Sequence, residues 1–176
     1  HASEKDLKKL STFVHRTYNG QDAIAFIRAL RNIYMKHNGL EYVFIQSLRK
    51  ENNMMDAISG FRTVFFSTKH PARTEKHVSD PSKGSSAKRI NMFLRWMVRR
   101  DSNGGDFGIW KSIPTASLMI PLDVHVGNVA RSLGILQRTQ NDGKAVEELT
   151  SKLREFDPID PVKYDFALFG VGVSEK

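Results

Sequence analysis

The sequence contains no cysteine. Without thiols, these residues cannot form a disulfide, a thiolate zinc site or an iron–sulfur cluster. The sequence also lacks an apolar run long enough to span a bilayer, and it lacks a hydrophobic leader. These absences fit a reducing compartment, and we expect a cytoplasmic protein with no membrane segment. Because His1 rather than methionine opens the chain, we expect the natural N-terminus to lie upstream.

Motifs for common metal and cofactor chemistry are missing as well. The six histidines show no His-x-x-x-His or His-x-Glu pairing, which argues against a histidine zinc site. There is no Gly-x-Ser-x-Gly nucleophile elbow, and the Gly-Lys-Ser/Thr ending of a nucleotide-binding P-loop is missing too. The sequence therefore predicts neither a cofactor nor a bound metal.

Positive charge is unevenly placed along the chain. The formal net charge is +8, and residues 69–100 carry nine lysines and arginines against two acidic residues, a net charge of +7. The nine are Lys69, Arg73, Lys76, Lys83, Lys88, Arg89, Arg95, Arg99 and Arg100. A basic segment on a nearly neutral body favours a polyanionic partner, nucleic acid first, although a solvated basic surface has the same sequence pattern.

Hydrophobic spacing and cap signals predict an all-α chain of short helices with no strand pair. Ser3 and Asp6 resemble a capping box before "LKKLSTFVHRTY", a helix that Asn19-Gly20 would end. Further helices are predicted at 22–37, "LEYVFIQSL", "MMDAISGFRTVFFS", 86–100, the stretch after Asp123, "DGKAVEELTSKLREF" and "VKYDFALFGVGV", which Asp160-Pro161 would start. Residues 68–84 hold two prolines and mostly polar side chains, and they predict an exposed loop.

The predicted helix at 86–100 has two contrasting stripes. Its apolar positions recur at helical spacing and should face the core: Ile90, Phe93, Leu94 and Met97. The neighbouring stripe is mostly basic: Lys88, Met92, Arg95 and Arg99. The helix is therefore expected to pack with one side and to offer cations on the other.

Asp123 stands where the stretch "MIPLDVHVGNVARSLGIL", residues 119–136, turns into a helix. As an N-cap, its carboxylate would accept backbone N–H bonds, a contribution of about 1 kcal/mol that requires no function. A helix N-terminus also stabilises an anion, so the same side chain could serve as a permanently charged group in a site. Both interpretations are open at this point.

The stretch "DPSKGSSAKRINMFLRWMV", residues 80–98, places a tight polar turn directly before a helix. Its amides could bind a phosphate, although an ordinary interhelical loop fits equally well. Lys88 lies just inside that helix, where a cation is disfavoured, so a partly desolvated Lys88 could act as a nucleophile. The alternative is a solvated or phosphate-contacting lysine. In the glycine-rich connection "DSNGGDFGIWKSIPT", Phe107 and Trp110 are candidates to stack on a base.

The order of these features resembles the helix–hairpin–helix DNA glycosylases, the superfamily of endonuclease III and the archaeal 8-oxoguanine glycosylases. "GSSAKRINMFLRWMV" looks like the hairpin and its second helix, "LDVHVGNVARSLG" like the aspartate motif, and "YDFALFGVGV" like the closing helix. More narrowly, "KRINMFLRWMVRRD", "DFGIW", "PLDVHV" and "DPVKYDFALFG" together resemble an uncharacterised bacterial family of conserved hypothetical proteins. The hairpin lacks the Leu-Pro-Gly-Val-Gly motif that is usual in the glycosylases, and the C-terminal four-cysteine cluster of endonuclease III is missing.

The resemblance implies a fold of two helical lobes with an active-site cleft between them. The lobes would be residues 1–67 and residues 68–176, the second containing the hairpin, the aspartate loop and the closing helices. It implies base-excision repair, in which a damaged base is removed through a lysine Schiff base and β-lyase activity can follow. Lys88 and Asp123 would be the catalytic residues. Residues expected to hold DNA are Lys83, Gly84, Ser85, Ser86, Arg89, His125 and Arg131, and the base pocket would contain Phe107 and Trp110. The partner would be duplex DNA with a damaged base, bound by a monomer acting at the bacterial nucleoid.

Two other functions stay open. The same helical scaffold could bind nucleic acid without chemistry, because a fold does not fix an activity. The chain could also be a helical adaptor whose basic stripe binds an acidic protein. Replacing Lys88 separates the first two, since only the enzyme would lose an activity.

Overall fold

The structure is a computed structural model, and it describes residues 3–101 and 104–174. Its elements are α1 (Glu4–Lys8), β1 (Val14–His15), β2 (Tyr18–Asn19), α2 (Gly20–Lys36), α3 (Leu40–Glu51), α4 (Met54–Phe65), α5 (Lys88–Val98), α6 (Val124–Ser132), α7 (Gly143–Phe156) and α8 (Asp165–Ser174). Short 3-10 turns lie at Ala72–His77, Pro81–Lys83, Thr115–Ser117 and Pro161–Tyr164. The prediction of a mainly helical chain is confirmed.

The first predicted helix is much shorter than expected. The capping box of Ser3 and Asp6 is present, but α1 ends at Lys8. The chain then forms a two-residue antiparallel pair, β1 with β2, so the prediction of no strand pair is wrong. Arg16 at the turn has φ of +54°, a left-handed conformation that reverses the chain.

Asn19-Gly20 begins a helix rather than ending one. The Asn19 side chain accepts the amides of Gln21 and Asp22, and the Asp22 carboxylate accepts the Asn19 amide, so the pair forms a capping box for α2. A Cβ on Gly20 would lie 2.1 Å from the Leu10 carbonyl oxygen. Glycine is required here because the preceding turn passes against the start of α2.

Residues 68–84 are not the exposed loop that their composition predicts. Thr74 is fully buried, and its hydroxyl donates to the Asp22 carboxylate at 2.8 Å. Arg73 contacts the same carboxylate at 2.6 Å. The Arg62 Nε atom donates to the Val78 carbonyl at 3.1 Å. These bonds fasten the segment to α2 and α4.

One apolar core runs through most of the described chain. It includes Ile33 of α2, Phe44 of α3, Ile58 of α4, Leu94 of α5 and Leu149 of α7, all nearly inaccessible to solvent. Residue 67 lies just after α4, yet side chains from both sides of it belong to this core. The two predicted segments therefore share one core.

Helix α5 buries a face slightly rotated from the predicted one. Leu94 is fully buried as expected, while Ile90, Phe93 and Met97 are half-buried against the core. The deeper positions include Asn91 and Arg95. The Arg95 guanidinium and the side-chain nitrogen of Asn91 have hydrogen-bond partners, as described below, whereas Asn91 Oδ1 has none among the described residues.

Helices α6 and α8 pack closely at the end of the chain. A Cβ on Gly172 would lie 3.0 Å from the Cβ atom of His125 and 3.1 Å from a methyl carbon of Val129, so the small residue permits the approach. The predicted helix start at Asp160-Pro161 is a 3-10 turn, and α8 itself begins at Asp165. Among the helices described, none is both long and apolar enough to cross a membrane.

Candidate active site

Lys88 is the first residue of α5, directly after the polar turn noted in the sequence. A 3-10 turn at Pro81–Lys83 is capped by Asp80, and Gly84 follows with φ of +84°. Ala87 is fully buried with φ of +46°, and it offers no side-chain cap to α5. The chain therefore enters α5 through a sharp bend that holds the Lys88 backbone in place.

Asp123 caps α6 and also contacts Lys88. Its Oδ1 atom accepts the Val126 amide at 2.9 Å, and its Oδ2 atom lies 3.0 Å from Lys88 Nζ, 35 residues earlier in the chain. Burial alone would raise the pKa of Asp123, but the Val126 amide and the Lys88 ammonium hold that pKa below its ordinary value. The predicted cap is confirmed, and the resting pair is an ammonium beside a carboxylate.

This pair lines a cavity of about 250 Å³ between α5, α6 and α8. The lining residues are Lys88, Met92, Arg95, Pro121, Asp123, Val126, Asp165, Phe166 and Phe169. The walls are thus apolar and aromatic, with two cations and two carboxylates among them. Ligand-binding pockets are typically lined in this way, by apolar and aromatic side chains with a few polar groups that orient the ligand.

Arg95 and Asp165 form a second charged contact in this cavity. Arg95 donates to the Asp165 carboxylate and, at 3.1 Å, to the buried Asp106 carboxylate. Its guanidinium also lies 4.3 Å from the centre of the Phe166 ring. Burial raises the pKa of Asp165 to about 6, and this rise prevails over the opposing effect of Arg95. The cavity therefore holds two carboxyl groups that titrate in different pH ranges.

Part of the predicted basic segment is neutralised by carboxylates of the fold. Four of the nine cations in residues 69–100 have a close carboxylate partner: Arg73 with Asp22, Lys88 with Asp123, and Arg95 and Arg99 with Asp106. Arg99 also bonds Asp160 at 2.8 Å. Within the predicted basic stripe of α5, Arg95 and Arg99 therefore face carboxylates from later segments.

The turn before α5 keeps part of the predicted DNA-contacting set at the surface. Arg89 is exposed, and the Lys83 side chain is 75% exposed, with its amine 3.9 Å from Asp80. The Gly84 carbonyl accepts the Gly143 amide at 2.9 Å, which brings exposed Lys144 beside the turn. Sequence reasoning missed Lys144 because this contact spans two distant segments.

Ser85 and Ser86 are half-buried and shape the turn. The Ser85 hydroxyl accepts the Ala87 amide at 3.2 Å, and the Ser86 carbonyl accepts the Asn91 side-chain amide at 3.0 Å. Both groups stabilise the entry into α5. Their part in the predicted phosphate contact stays a prediction.

His125 and Arg131 lie in the predicted helix but bond within the protein. His125 Nδ1 lies 3.1 Å from the Gly172 carbonyl oxygen, and the imidazole meets Phe169 edge-on. Arg131 donates to the Arg138 carbonyl at 2.8 Å and to the side-chain oxygen of Asn141 at 2.6 Å. The Arg131 guanidinium thus holds the connection between α6 and α7, and its predicted contact with DNA stays a prediction.

Trp110 is a core residue, so its assignment to a base pocket is wrong. It is 7% exposed and packs against Phe44 and Phe93, with ring centroids 5.8 Å and 5.4 Å away. Phe107 is 60% exposed and is not part of the cavity lining. Ser102 and Asn103 of the same glycine-rich connection lie outside the described residues. The aromatic walls of the cavity are Phe166 and Phe169 instead.

Several cavity residues were missed at the sequence level: Met92, Arg95, Pro121, Asp165, Phe166 and Phe169. Two signals could have found some of them. Met92 and Arg95 share the helical stripe of Lys88, and Asp165 opens the closing helix within the quoted motif "YDFALFG". Asp165 stands out in that motif as the one acidic residue at the start of an otherwise apolar helix.

A larger cavity of about 780 Å³ lies between α3, α7 and residues 112–119. Its cation Arg154 donates to the carbonyls of Ala116 and Leu118, and its carboxylate Glu147 accepts the Asn53 amide at 3.5 Å. Arg154 thus binds the backbone of residues 116–118, and Glu147 binds a neighbouring side chain. The two do not form an acid–base pair. The smaller cavity is the candidate active site, since it alone of the two contains Lys88 with Asp123.

No group of three or more metal-ligating side chains is assembled within residues 3–101 and 104–174. The chain matches the model of a protein family described as "Protein of unknown function (DUF2400)" over residues 1–174. No curated protein and no solved structure matches the chain.

Proposed function

We propose that this chain, which belongs to the DUF2400 family, is a lysine-type DNA glycosylase with β-lyase activity. In this proposal the fold is of the helix–hairpin–helix glycosylase type. The turn at 81–87 is the hairpin, and the Lys88 cavity is the cleft that receives a damaged base. The substrate is duplex DNA carrying that base.

One observation carries the proposal: Lys88 Nζ lies 3.0 Å from Asp123 Oδ2 at the wall of a ring-sized cavity. The two residues are 35 positions apart, so no local rule brings them together. Their pairing supports the roles that the resemblance implied for them. The carboxylate is within hydrogen-bond distance of Nζ, so it is placed to act as the adjacent base that takes a proton from the nucleophile.

The reaction begins with the damaged nucleotide flipped out of the duplex, as enzymes acting on bases require. The base stacks against the Phe166 and Phe169 walls of the cavity. Lys88 passes one proton to water by way of Asp123 and becomes a neutral amine. The amine attacks the sugar C1′ atom, and the bond between C1′ and the base breaks. The C1′–O4′ bond then breaks, its electron pair goes to O4′, which takes up a proton, and the Schiff base that remains can undergo β-elimination.

Asp123 serves this reaction in two ways. Its carboxylate accepts the proton that Nζ loses as the new bond to C1′ forms. While the carboxylate is charged, it also stabilises the positive charge that develops on the sugar. The lowered pKa of Asp123 keeps the carboxylate ionised at neutral pH, ready for both roles.

In this proposal the exposed end of the hairpin binds the DNA backbone. Lys83, Arg89 and Lys144 offer cations there, and the start of α5 has no side-chain cap on its amides. Uncapped amides and nearby cations favour a phosphate. Binding of this kind weakens steeply with salt.

Borohydride trapping tests the proposal. The protein is incubated with duplexes carrying 8-oxoguanine, uracil or an abasic site and then reduced with sodium borohydride. A covalent adduct is expected, and Lys88→Gln is expected to abolish it. The matched control is Lys152→Gln, since Lys152 is a surface lysine that pairs with Glu155 on α7. That control should trap as the unchanged protein does.

The alternative is a nucleic-acid-binding module without chemistry, and the exposed cations Lys83, Arg89 and Lys144 favour it equally. This alternative predicts salt-sensitive binding with no adduct on any of the three duplexes. It also predicts that Lys88→Gln leaves the specificity of binding unchanged. An adduct lost only in Lys88→Gln would exclude it.

A further inference from the structure

Asp165 is a carboxyl group in the candidate site that the reaction above does not use. It is the first residue of α8, its side chain is 11% exposed, and it lines the cavity that holds Lys88 and Asp123. Phe166 and Phe169 of the same helix form the aromatic walls. A ring stacked on these walls would therefore have a carboxyl group within its own cavity.

The proposed reaction leaves one requirement unmet. Breaking the bond between C1′ and the base puts an electron pair on a base nitrogen, and an unprotonated base is a poor leaving group. Neither Lys88 nor Asp123 can supply a proton to it, because both lose or accept protons at the sugar. A third group in the cavity has to do so.

The charged groups around Asp165 come from three parts of the chain. Arg95 and Lys88 belong to α5, Asp106 to the connection after α5, and Asp123 to the cap of α6. Burial raises the pKa of Asp165 to about 6 even though Arg95 opposes the rise. The group is thus partly protonated near neutral pH, while Asp123 stays ionised.

We propose that Asp165 is the general acid that protonates the base as it leaves, an inference that rests on the proposed glycosylase function. The bond between C1′ and the base nitrogen breaks, and its electron pair goes to that nitrogen, which takes the Asp165 proton. The Lys88 Nζ lone pair forms the new bond to C1′, and the proton released from Nζ goes to Asp123. The base leaves neutral, and Arg95 stabilises the Asp165 carboxylate that remains.

An abasic-site duplex separates this role from that of Lys88, because an abasic site has no base to protonate. The Asp165→Asn variant is expected to trap on the abasic duplex as the unchanged protein does. On the 8-oxoguanine and uracil duplexes, its single-turnover release of base is expected to fall about 100-fold or more. Normal trapping on the abasic duplex also shows that the variant is folded.

The pH profile gives a second readout. Release of base by the unchanged protein should fall about tenfold for each pH unit above roughly pH 6, relative to trapping on the abasic duplex. Asp165→Asn should lose this dependence, and Asp165→Glu, which keeps an acid, should restore part of it. Asp106→Asn is the matched control, since Asp106 contacts the same Arg95 but does not line the cavity. It should keep the dependence, displaced toward lower pH because the Asp106 charge is one of those that raise the pKa of Asp165.

The outcomes are distinct. Absence of any adduct on the abasic duplex overturns the proposed function and the acid role with it. Trapping on the abasic duplex with unchanged base release in Asp165→Asn overturns the acid role alone. Equal effects of Asp165→Asn and Asp106→Asn, or loss of abasic trapping in Asp165→Asn, would mean that Asp165 only supports the site structurally, which also overturns it. Trapping on the abasic duplex with no release of base from the 8-oxoguanine or the uracil duplex also overturns the acid role.

Discussion

The Asp123 carboxylate uses its two oxygens for two different partners. Oδ1 accepts the Val126 amide at 2.9 Å, and Oδ2 lies 3.0 Å from Lys88 Nζ. One side chain thus caps α6 and holds the candidate nucleophile. Because asparagine caps helices nearly as well as aspartate but carries no charge, the two roles can be separated experimentally.

Asp123→Asn is expected to change the free energy of unfolding by less than about 1 kcal/mol, because the cap is kept. Trapping on the abasic duplex is expected to fall about 100-fold or more, since the proton acceptor for Lys88 is lost. Asp123→Ala should lose the cap as well, at a further cost of about 1 kcal/mol. Urea unfolding and borohydride trapping measure the two effects separately.

Asp142 provides a matched control for this experiment. Its carboxylate caps α7 in the same way, accepting the Ala145 amide at 3.1 Å, but it lies outside the cavity lining. Asp142→Asn is expected to trap normally. If both asparagine variants lost trapping to the same extent, the effect would come from helix capping rather than from chemistry.

Salt dependence distinguishes the cations at the hairpin from those bonded inside the protein. Lys83→Gln and Arg89→Gln should each lower the slope of log K against log salt by about 1, because each removes one phosphate contact. Arg131→Met should leave the slope unchanged and cost about 1.5–3 kcal/mol of stability, since its bonds go to Arg138 and Asn141. Fluorescence anisotropy with a labelled duplex over a salt series measures the slopes. A slope change in Arg131→Met as large as that in Lys83→Gln would show that Arg131 contacts phosphate.

Local signals in the sequence were enough for most helices and for one side of the site. The amphipathic pattern predicted α7, and a helix cap was one of the two interpretations of Asp123 before α6. Asn19-Gly20 misled the prediction because the same two residue types suit a helix end and a helix start. Which applies depends on the next carboxylate, Asp22, and on the close passage of the Leu10 carbonyl past Gly20.

The partners of the buried cations could not be read from spacing. The stripe that contains Arg95 and Arg99 was recognised as one helical face, but its carboxylates lie on later segments. Arg95 meets Asp165, which is 70 residues further along the chain. A basic stripe is identical in sequence whether it faces solvent or buried acids, so only the tertiary fold decides.

Trp110 shows the same limit for an aromatic residue. Its place in a glycine-rich connection made it a candidate to stack on a base, yet its indole packs against Phe44 and Phe93. Lys111 and Ser112 amides donate to the Glu41 carboxylate at 2.8 Å and 2.7 Å, which fixes the segment on α3. Composition describes the local chain, whereas burial depends on these distant contacts.

The raised pKa of Asp165 also predicts how stability depends on pH. The pKa of Asp165 is about 6 in the folded state, whereas its ordinary value, which applies to the unfolded state, is 3.8. Between these two pH values the folded state therefore binds more protons than the unfolded state. The free energy of unfolding must then decrease as pH rises. The contribution of Asp165 to the free energy of unfolding amounts to about 3 kcal/mol. It is fully present below about pH 4 and is lost as the pH rises through 6.

Urea unfolding of the unchanged protein and of Asp165→Asn from pH 4 to 7 measures this contribution as a difference. The variant is expected to gain stability relative to the unchanged protein as pH rises through that range, because asparagine has no proton to lose. Carboxylates with lowered pKa, such as Asp142 and Asp157 at about 2, lose their contribution only at lower pH. Other titrating groups are common to both proteins and cancel. Parallel curves for the two proteins would show that Asp165 is ionised throughout, and an acid held in the cavity at neutral pH would then be excluded.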